Sequence, residues 1–368
     1  MSQTSKKKTI VLHVGRHKTG TTSIQRTCKA NHLNLKKRGV LYPKTLPGCH
    51  SAFLIDAFGD PDKDPIFARL GRTPKQIREQ TKERLSNIRR EIRHFDGEKI
   101  VFSGENAGTG LTVPHLEKLK ATMHNLCGEE PAYKVLYFTR DPLGRAESGI
   151  QQLIKANGMT EEDARSFQLQ GGGKRYQKIY ETYAEAFGDD AVQFYSYEVA
   201  RSHPEGLISY FMNTIGVSSE GLKDTSKQTN TSISGEVLKF LSWLYEGPRL
   251  SPQGGARMQF RTPRAPISDT DRLALFDLKG EKASFLSEAD SQQIWDSVTE
   301  DMAFLKARFG ISYEPPKDCM PPEGNLFSSQ FLENLETVLP TLNDALRAEF
   351  VRFIETETHL APVTVNPK

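Results

Sequence analysis

Short apolar runs along the chain alternate with longer segments whose apolar residues recur every three or four positions. The runs are rich in β-branched and aromatic residues, as buried parallel strands are. They cover residues 10–14, 40–42, 99–103, 134–139 and 191–197. Strands that alternate with helices in this way predict an α/β fold, with a parallel sheet flanked by helices.

The helical periodicity is clearest at residues 22–37, 74–95, 176–187 and 204–215, and it returns at 287–309 and 331–354. We predict a single domain with additional C-terminal helices. Its parts are a solvated tail (1–8), a core of sheet and helices (9–245), a basic loop (246–270) and a C-terminal helical part (271–368). Three glycines at 171–173 indicate a mobile connection, which serves as a linker or as a lid.

Composition narrows the class of protein. The chain has 368 residues, a net charge of +3 and 37% hydrophobic residues, which describes an ordinary soluble protein and argues against nucleic acid as a partner. No apolar run approaches the roughly 18 residues that span a bilayer, so no membrane span is expected. The four cysteines lie far apart and form no CxxC pair, which favours a reducing, cytoplasmic location and neither a disulfide framework nor a zinc site.

The first strand leads into a segment that is typical of a phosphate-binding loop. Gly15 and Gly20 have the spacing of a Walker A motif, and a helix is expected to begin near Thr22, where its N-terminus would face an anion. However, Thr21 and Thr22 replace the Lys-Ser/Thr pair, and the lysine has moved inside the loop to position 18. The segment is therefore not an ordinary ATP or GTP loop.

A second candidate phosphate site follows the strand at 134–139. Arg140 marks the end of that strand, Pro142 suits the first turn of a helix, and Ser148 lies two helical turns further on. Arg140 and Ser148 are expected to converge on one phosphate, because arginine offers a bidentate fork and serine adds a hydroxyl donor.

Two residues are candidates for a general base. His50 stands at a loop-to-helix junction, and Glu105 follows the strand at 99–103, at the edge where open α/β sheets bind ligands. Each has a structural alternative. His50 could be a capping or surface histidine, and Glu105 could cap a helix or pair with an arginine.

Three motifs carry a resemblance to a known family. HVGRHKTGTTSIQ (13–25) resembles the 5'-phosphosulfate-binding loop of sulfotransferases that use 3'-phosphoadenosine 5'-phosphosulfate (PAPS), in particular the bacterial sulfotransferase family. RDPLGRAES (140–148) resembles their 3'-phosphate-binding segment. FSGEN (102–106) resembles their serine-glutamate motif, with Gly104 where that family often has serine.

The resemblance implies a role for each matching position. Lys18 would contact the transferred sulfuryl group and the bridging oxygen, Gly20 to Ser23 would hold the 5'-phosphate, and Arg140 with Ser148 would hold the 3'-phosphate. The donor-binding residues implied are Arg16, His17, Lys18, Thr19, Gly20, Thr21, Thr22, Ser23, Arg140 and Ser148.

These features predict transfer of a sulfuryl group from PAPS to a hydroxyl or amine, with Lys18, Glu105 and His50 as catalytic candidates. No metal is expected. The acceptor is a small molecule or glycan, and the resemblance implies a carbohydrate or glycolipid. Two alternatives remain open: a Mg-requiring nucleoside-triphosphate-dependent kinase with a degenerate P-loop, and a nucleotide-binding protein without catalysis.

Overall fold

The computed structural model describes residues 7–15, 18–62, 71–170, 175–225, 233–248, 261–316 and 327–358. Contacts divide the chain into two compact units, each assembled from three stretches of sequence. The sheet unit comprises residues 1–141, 174–230 and 299–313, and the helical unit comprises 142–173, 231–298 and 314–368. The prediction of one domain divided in chain order stays a prediction.

Five parallel strands form the sheet of the first unit. They are β1 (Thr9–His13), β2 (Val40–Leu41), β3 (Lys99–Ser103), β4 (Ala132–Thr139) and β5 (Val192–Ser196). Their order is β2-β3-β1-β4-β5, and the register places His13 beside Ser103. The predicted α/β class with a parallel sheet flanked by helices is confirmed. Because every strand runs the same way, all the carboxyl ends meet at one edge of the sheet.

The described residues of both units also form helices. In chain order they are α1 (Thr21–Ala30), α2 (His32–Lys37), α3 (Ser51–Phe58), α4 (Pro74–Arg93), α5 (Ala107–Gly110), α6 (Val113–Cys127), α7 (Pro142–Asn157), α8 (Glu161–Gln170), α9 (Tyr176–Phe187), α10 (Tyr197–Ser202), α11 (Gly206–Thr214), α12 (Gly235–Leu244), α13 (Asp269–Asp277), α14 (Glu288–Phe309), α15 (Ser329–Val338) and α16 (Asp344–Thr358). Short 3-10 turns cover Asp189–Ala191 and Leu339–Thr341.

Side chains from β1, β3 and β4 build the core of the sheet unit with those of α1 and α11. Val11, Val101 and Phe138 pack there with Ile24 and Phe211, all of them buried. Ile24 of α1 is fully buried in this core.

The first helix nevertheless ends earlier than the periodicity predicts. A single helix over 22–37 was expected, but α1 ends at Ala30 and α2 begins at His32. Asn31 stands between them. Its amide nitrogen donates to the carbonyl oxygens of Thr27 (2.8 Å) and Lys223 (2.9 Å), and its side-chain oxygen accepts the Lys223 N–H (2.9 Å). A contact with a distant segment therefore sets this break.

Lys8 belongs to the fold, which corrects the predicted tail of residues 1–8. Its ammonium donates to the carbonyl oxygens of Phe95 (3.0 Å) and Gly97 (2.6 Å), and its own carbonyl accepts the Ala132 N–H (2.9 Å). The side chain is buried because these acceptors satisfy the ammonium group inside the protein.

The helical unit has its own apolar core, centred on Phe240, Phe331 and Phe350. The periodic segment predicted at 331–354 is broken there, because α15 ends before the Leu339–Thr341 turn and α16 begins at Asp344. Proline at position 340 lacks the N–H that a continuous helix would need.

The predicted basic loop lies only partly within the described residues, since Arg249 and Arg257 are outside them, as are the glycines at 171–173. Arg261 donates to Asp163 (2.8 Å). Arg264 donates to Glu246 (2.7 Å) and stacks over the Trp243 ring at 4.1 Å. These two arginines therefore bind acidic side chains of their own unit.

Candidate functional site

The described part of the loop between β1 and α1 contains two residues with an unusual backbone conformation. Lys18 has a φ of 70° and Gly20 a φ of 74°, both in the left-handed region. A Cβ at Gly20 would lie 2.3 Å from Leu207 Cδ2 and 3.1 Å from Tyr197 Cε2, so a larger residue would have to displace these side chains. α1 begins at Thr21, one residue earlier than predicted, and its first turn carries no acidic residue. The positive end of the helix dipole thus faces this loop.

Arg140 brings the end of β4 to the same loop. Its Nη1 donates to the carbonyl oxygen of Lys18 at 2.7 Å, and its guanidinium lies 5.4 Å from the centre of the Tyr197 ring. The hydrogen bond supports the left-handed backbone of Lys18, which costs energy in a residue with a side chain. Two of the predicted donor-binding residues are therefore in contact.

Glu105 brings the end of β3 to the N-terminus of α1. Its carboxylate accepts a hydrogen bond from Thr21 Oγ1. A carboxylate at a helix N-terminus is favoured by the dipole and by the unpaired N–H groups there. Position 104 is glycine, whereas the family that this segment resembles often has serine there, and the structure explains the difference. A Cβ at position 104 would lie 2.8 Å from the backbone nitrogen of Ser51, which is too close.

His50 is fully buried just before α3. The ring Nδ1 accepts the Ser103 backbone N–H at 3.1 Å, the His50 backbone N–H donates to the Ser103 carbonyl at 2.8 Å, and the ring stacks on Tyr42 at 4.4 Å. Burial, with a smaller effect of the Lys29 charge, lowers the pKa of the imidazole to about 3. His50 occupies the N-cap position of α3 without a side-chain cap hydrogen bond, and because it is buried the alternative of a surface histidine is wrong.

His13 is a site residue that the sequence reasoning missed. Its Nδ1 lies 2.9 Å from Ser103 Oγ, and its Nε2 has no hydrogen-bond partner among the described residues. The Nε2 lies 3.5 Å from the point where a Cβ of Gly15 would stand, so it lies close to the start of the loop between β1 and α1. Burial lowers its pKa to about 4, although the Glu105 charge acts in the opposite direction. The available signal was a histidine within an apolar strand.

Ser103 therefore joins two buried histidines beneath the loop. Its hydroxyl contacts His13, and its backbone groups bond to His50. The carbonyl of Ser103 also lies 3.5 Å from the side-chain amide of Gln25 in α1. This connected set links β1, β3, α1 and α3 directly under the candidate site.

The remaining predicted residues are placed as follows. Thr19 and Ser23 are buried in the loop and in the first turn of α1, and Thr22 is exposed there. Ser148 lies in α7, in the helical unit. Its predicted convergence with Arg140 stays a prediction. Arg16 and His17 lie outside the described residues.

The described residues lack two kinds of feature. Within them, no group of three or more His, Cys, Asp or Glu side chains is arranged to hold a metal ion. No described helix combines enough length and apolar character to cross a bilayer.

Comparison of the fold with solved structures finds similarity to a sulfotransferase from Alicyclobacillus acidocaldarius. The two share 16% identity, with a TM-score of 0.35, over 61% of this chain and 86% of the other. No protein family and no curated protein sequence matches the chain.

Proposed function

We propose that this protein is a sulfotransferase that moves a sulfuryl group from PAPS to a hydroxyl or amine of an acceptor. One observation carries the proposal. Lys18, Glu105 and Arg140 follow three different strands, and hydrogen bonds bring all three to one loop at the N-terminus of α1. The loop supplies anion-binding N–H groups, and the three side chains supply two cations and one carboxylate.

The donor side of the reaction requires positive charge at two places. Lys18 sits inside the loop, where its ammonium would steady the leaving phosphate and the transferred group. Arg140 has five N–H donors, so its bond to the Lys18 carbonyl leaves others to bind a phosphate. Ser148 is a further predicted ligand of that phosphate.

The acceptor side requires a base. In the proposed step the acceptor oxygen attacks sulfur, the bond from sulfur to the phosphate oxygen breaks, and the acceptor proton passes to the Glu105 carboxylate. The bond from Thr21 orients that carboxylate at the loop. His50 suits the role less well, because its ring is fully buried and its Nδ1 is engaged by the Ser103 N–H. We assign it to positioning the end of β3.

The same features weigh against a kinase. In a Walker A loop a lysine follows the second glycine, and a hydroxyl next to it binds Mg²⁺. Here Thr21 takes the position of the lysine, and its hydroxyl donates to Glu105. The carbohydrate or glycolipid character of the acceptor follows from the resemblance of the motifs.

Calorimetric titration with 3'-phosphoadenosine 5'-phosphate, with ATP and Mg²⁺ as the comparison, tests the proposal. We expect tight binding of the first and weak binding of the second. Arg140→Ala should weaken the binding of 3'-phosphoadenosine 5'-phosphate by more than about tenfold, since a hydrogen bond to a charged group contributes roughly 1.5–3 kcal/mol. Arg38→Ala is the control, because Arg38 is exposed and bonds to the carbonyls of Ser218 and Glu220. If ATP with Mg²⁺ binds more tightly than 3'-phosphoadenosine 5'-phosphate, the proposal is wrong and the kinase alternative takes its place.

A further inference from the structure

A long groove runs between α4 and α6, bordered at one end by the last turn of α3. Its main cavity has a volume of about 1080 Å³. A second cavity of about 410 Å³ continues it and shares Arg89, Asn125 and Leu126 with the first. All of these residues belong to the sheet unit.

The groove begins at the edge of the sheet that carries the candidate site. α4 leads into β3 and α6 leads into β4, so both helices run from the carboxyl edge to the amino edge. Their N-terminal ends therefore lie on the side of Glu105, and Thr112, which lines the groove, follows Glu105 by seven positions. α4 has 20 residues, which gives the groove wall a length of about 30 Å.

The helix face that lines this groove is basic. Arg78, Lys82, Arg89 and Arg93 are spaced so that they share one side of α4, and Lys118 faces them from α6. No acidic residue of either helix lines the groove. Among the described residues, the side chains of four of these cations donate no hydrogen bond and form no ion pair, and all four are exposed: Lys82, Arg89, Arg93 and Lys118.

The acids that line the groove lie at its α3 end, and the charges of two are compensated. Asp56 is bound by Arg72 and by Arg84, each at 2.8 Å. Asp62 pairs with Arg78 at 2.8 Å. The excess positive charge is therefore concentrated along the α4 and α6 walls.

Uncharged polar groups and apolar side chains complete the lining. Ser86, Thr122 and Asn125 offer hydroxyl and amide groups. Thr81 also lines the groove, but its Oγ1 is buried and has no partner among the described residues. Among the described lining residues Phe58 is the only Phe, Tyr or Trp, and it is fully buried; the other aromatic ring in the lining is the imidazole of His115. Single-stranded nucleic acids are bound mainly by basic grooves that also expose aromatic side chains for base stacking. This groove is basic but exposes no Phe, Tyr or Trp ring among its described lining residues.

From this lining we infer that the groove binds a polyanionic oligosaccharide, a chain of sugars carrying carboxylate or sulfate groups. The cations would bind the acidic groups, and the hydroxyls and amides would bind the sugar hydroxyls. The inference rests on the proposed function for its role, because a saccharide in the groove would extend from the acceptor end beside Glu105. Binding of the saccharide in the groove does not itself require PAPS.

The test is titration of the full chain with a fluorescent hexasaccharide of galacturonic acid, at low and at physiological ionic strength. The groove variant is Lys82→Glu with Arg89→Glu. The control is Lys75→Glu with Arg90→Glu, which makes the same change in net charge on α4 at two exposed residues that do not line the groove. Thermal unfolding should show that both variants are folded, and titration with 3'-phosphoadenosine 5'-phosphate is run on all three proteins.

We expect the groove variant to bind the hexasaccharide roughly tenfold or more weakly, and the control to lose less than about twofold. Added salt should weaken the wild type most. Equal losses in both variants, equal binding of neutral maltohexaose, or tighter binding of an oligothymidylate of the same charge would each overturn the inference. Nucleotide binding without saccharide binding would overturn it and leave the transferase intact. Saccharide binding without nucleotide binding would support the groove as a saccharide site and contradict the proposed transferase function.

Discussion

Acidification should destabilise the sheet unit through His13 and His50. In the folded protein the pKa values of these imidazoles are lowered to about 4 and about 3, from an ordinary value of 6.5, chiefly because both rings are buried. A histidine whose pKa is lowered on folding binds fewer protons in the native than in the unfolded state. Its effect is absent above about pH 6.5, and stability is lost as the pH falls from there towards the lowered pKa.

The size of this effect follows from the two pKa values of each group. At pH 5 an unfolded imidazole is almost fully protonated, whereas each buried one is almost fully neutral. Proton linkage then gives a loss of about 2 kcal/mol for each histidine, and about 4 kcal/mol for the pair, between pH 7.5 and pH 5. Since domains are typically stable by about 5–15 kcal/mol, the loss is a large share of the total.

The assay is urea unfolding at constant ionic strength from pH 7.5 to pH 5.0, with the free energy of unfolding taken at each pH. His13→Asn with His50→Asn provides the comparison, because an asparagine oxygen can accept the hydrogen bonds of Ser103 but does not titrate. This variant should be less stable at pH 7.5 yet lose little further stability on acidification. His124→Asn, at an exposed position, should keep the wild-type pH dependence.

A change of less than about 1 kcal/mol in the wild type between pH 7.5 and pH 5 would refute the reasoning. The same pH dependence in the double asparagine variant would refute it as well, since the titrating groups would then lie elsewhere.

Three further predictions concern the loop and the base. Lys18→Ala should lower turnover with PAPS by about 10²-fold or more with little change in thermal stability, as loss of one charge-stabilising donor does; full activity would exclude its role. Glu105→Gln should lower kcat by about 10²-fold or more, and His50→Asn by much less; the reverse order would make His50 the base. Gly20→Ala should cost about 1–3 kcal/mol more than Gly71→Ala in urea unfolding, because both have positive φ but only Gly20 faces a side chain at 2.3 Å. Equal costs would contradict that account.

Features that depend on neighbouring residues could be predicted from the sequence. The apolar runs fixed the positions of the strands, because a buried parallel strand needs a short β-branched segment. The sequence also indicated the loop from Gly15 to Gly20, since its glycines and hydroxyls must follow a strand and precede a helix. The alternation of strands and helices was sufficient to predict the α/β class.

Errors occurred where a distant segment decides the local structure. Asn31 ends α1 because it bonds to Lys223, and Lys8 is buried because the carbonyls of Phe95 and Gly97 accept hydrogen bonds from its ammonium. Neither partner could be identified from the periodicity around the residue itself. The periodicity of apolar residues alone therefore extended the predicted first helix too far.

The sequence by itself determined which residues could do chemistry here: a lysine in a glycine-bracketed loop, a carboxylate after one strand and an arginine after another. Only the tertiary structure decided that these meet, because parallel pairing of β3, β1 and β4 places their carboxyl ends side by side. Tertiary structure also decided the state of the histidines. The pairing of His13 with Ser103 buries an imidazole that the sequence showed only as an exception in an apolar strand. Burial depends on all the residues that surround a side chain in the fold, so its effect on a pKa cannot be seen in the local sequence.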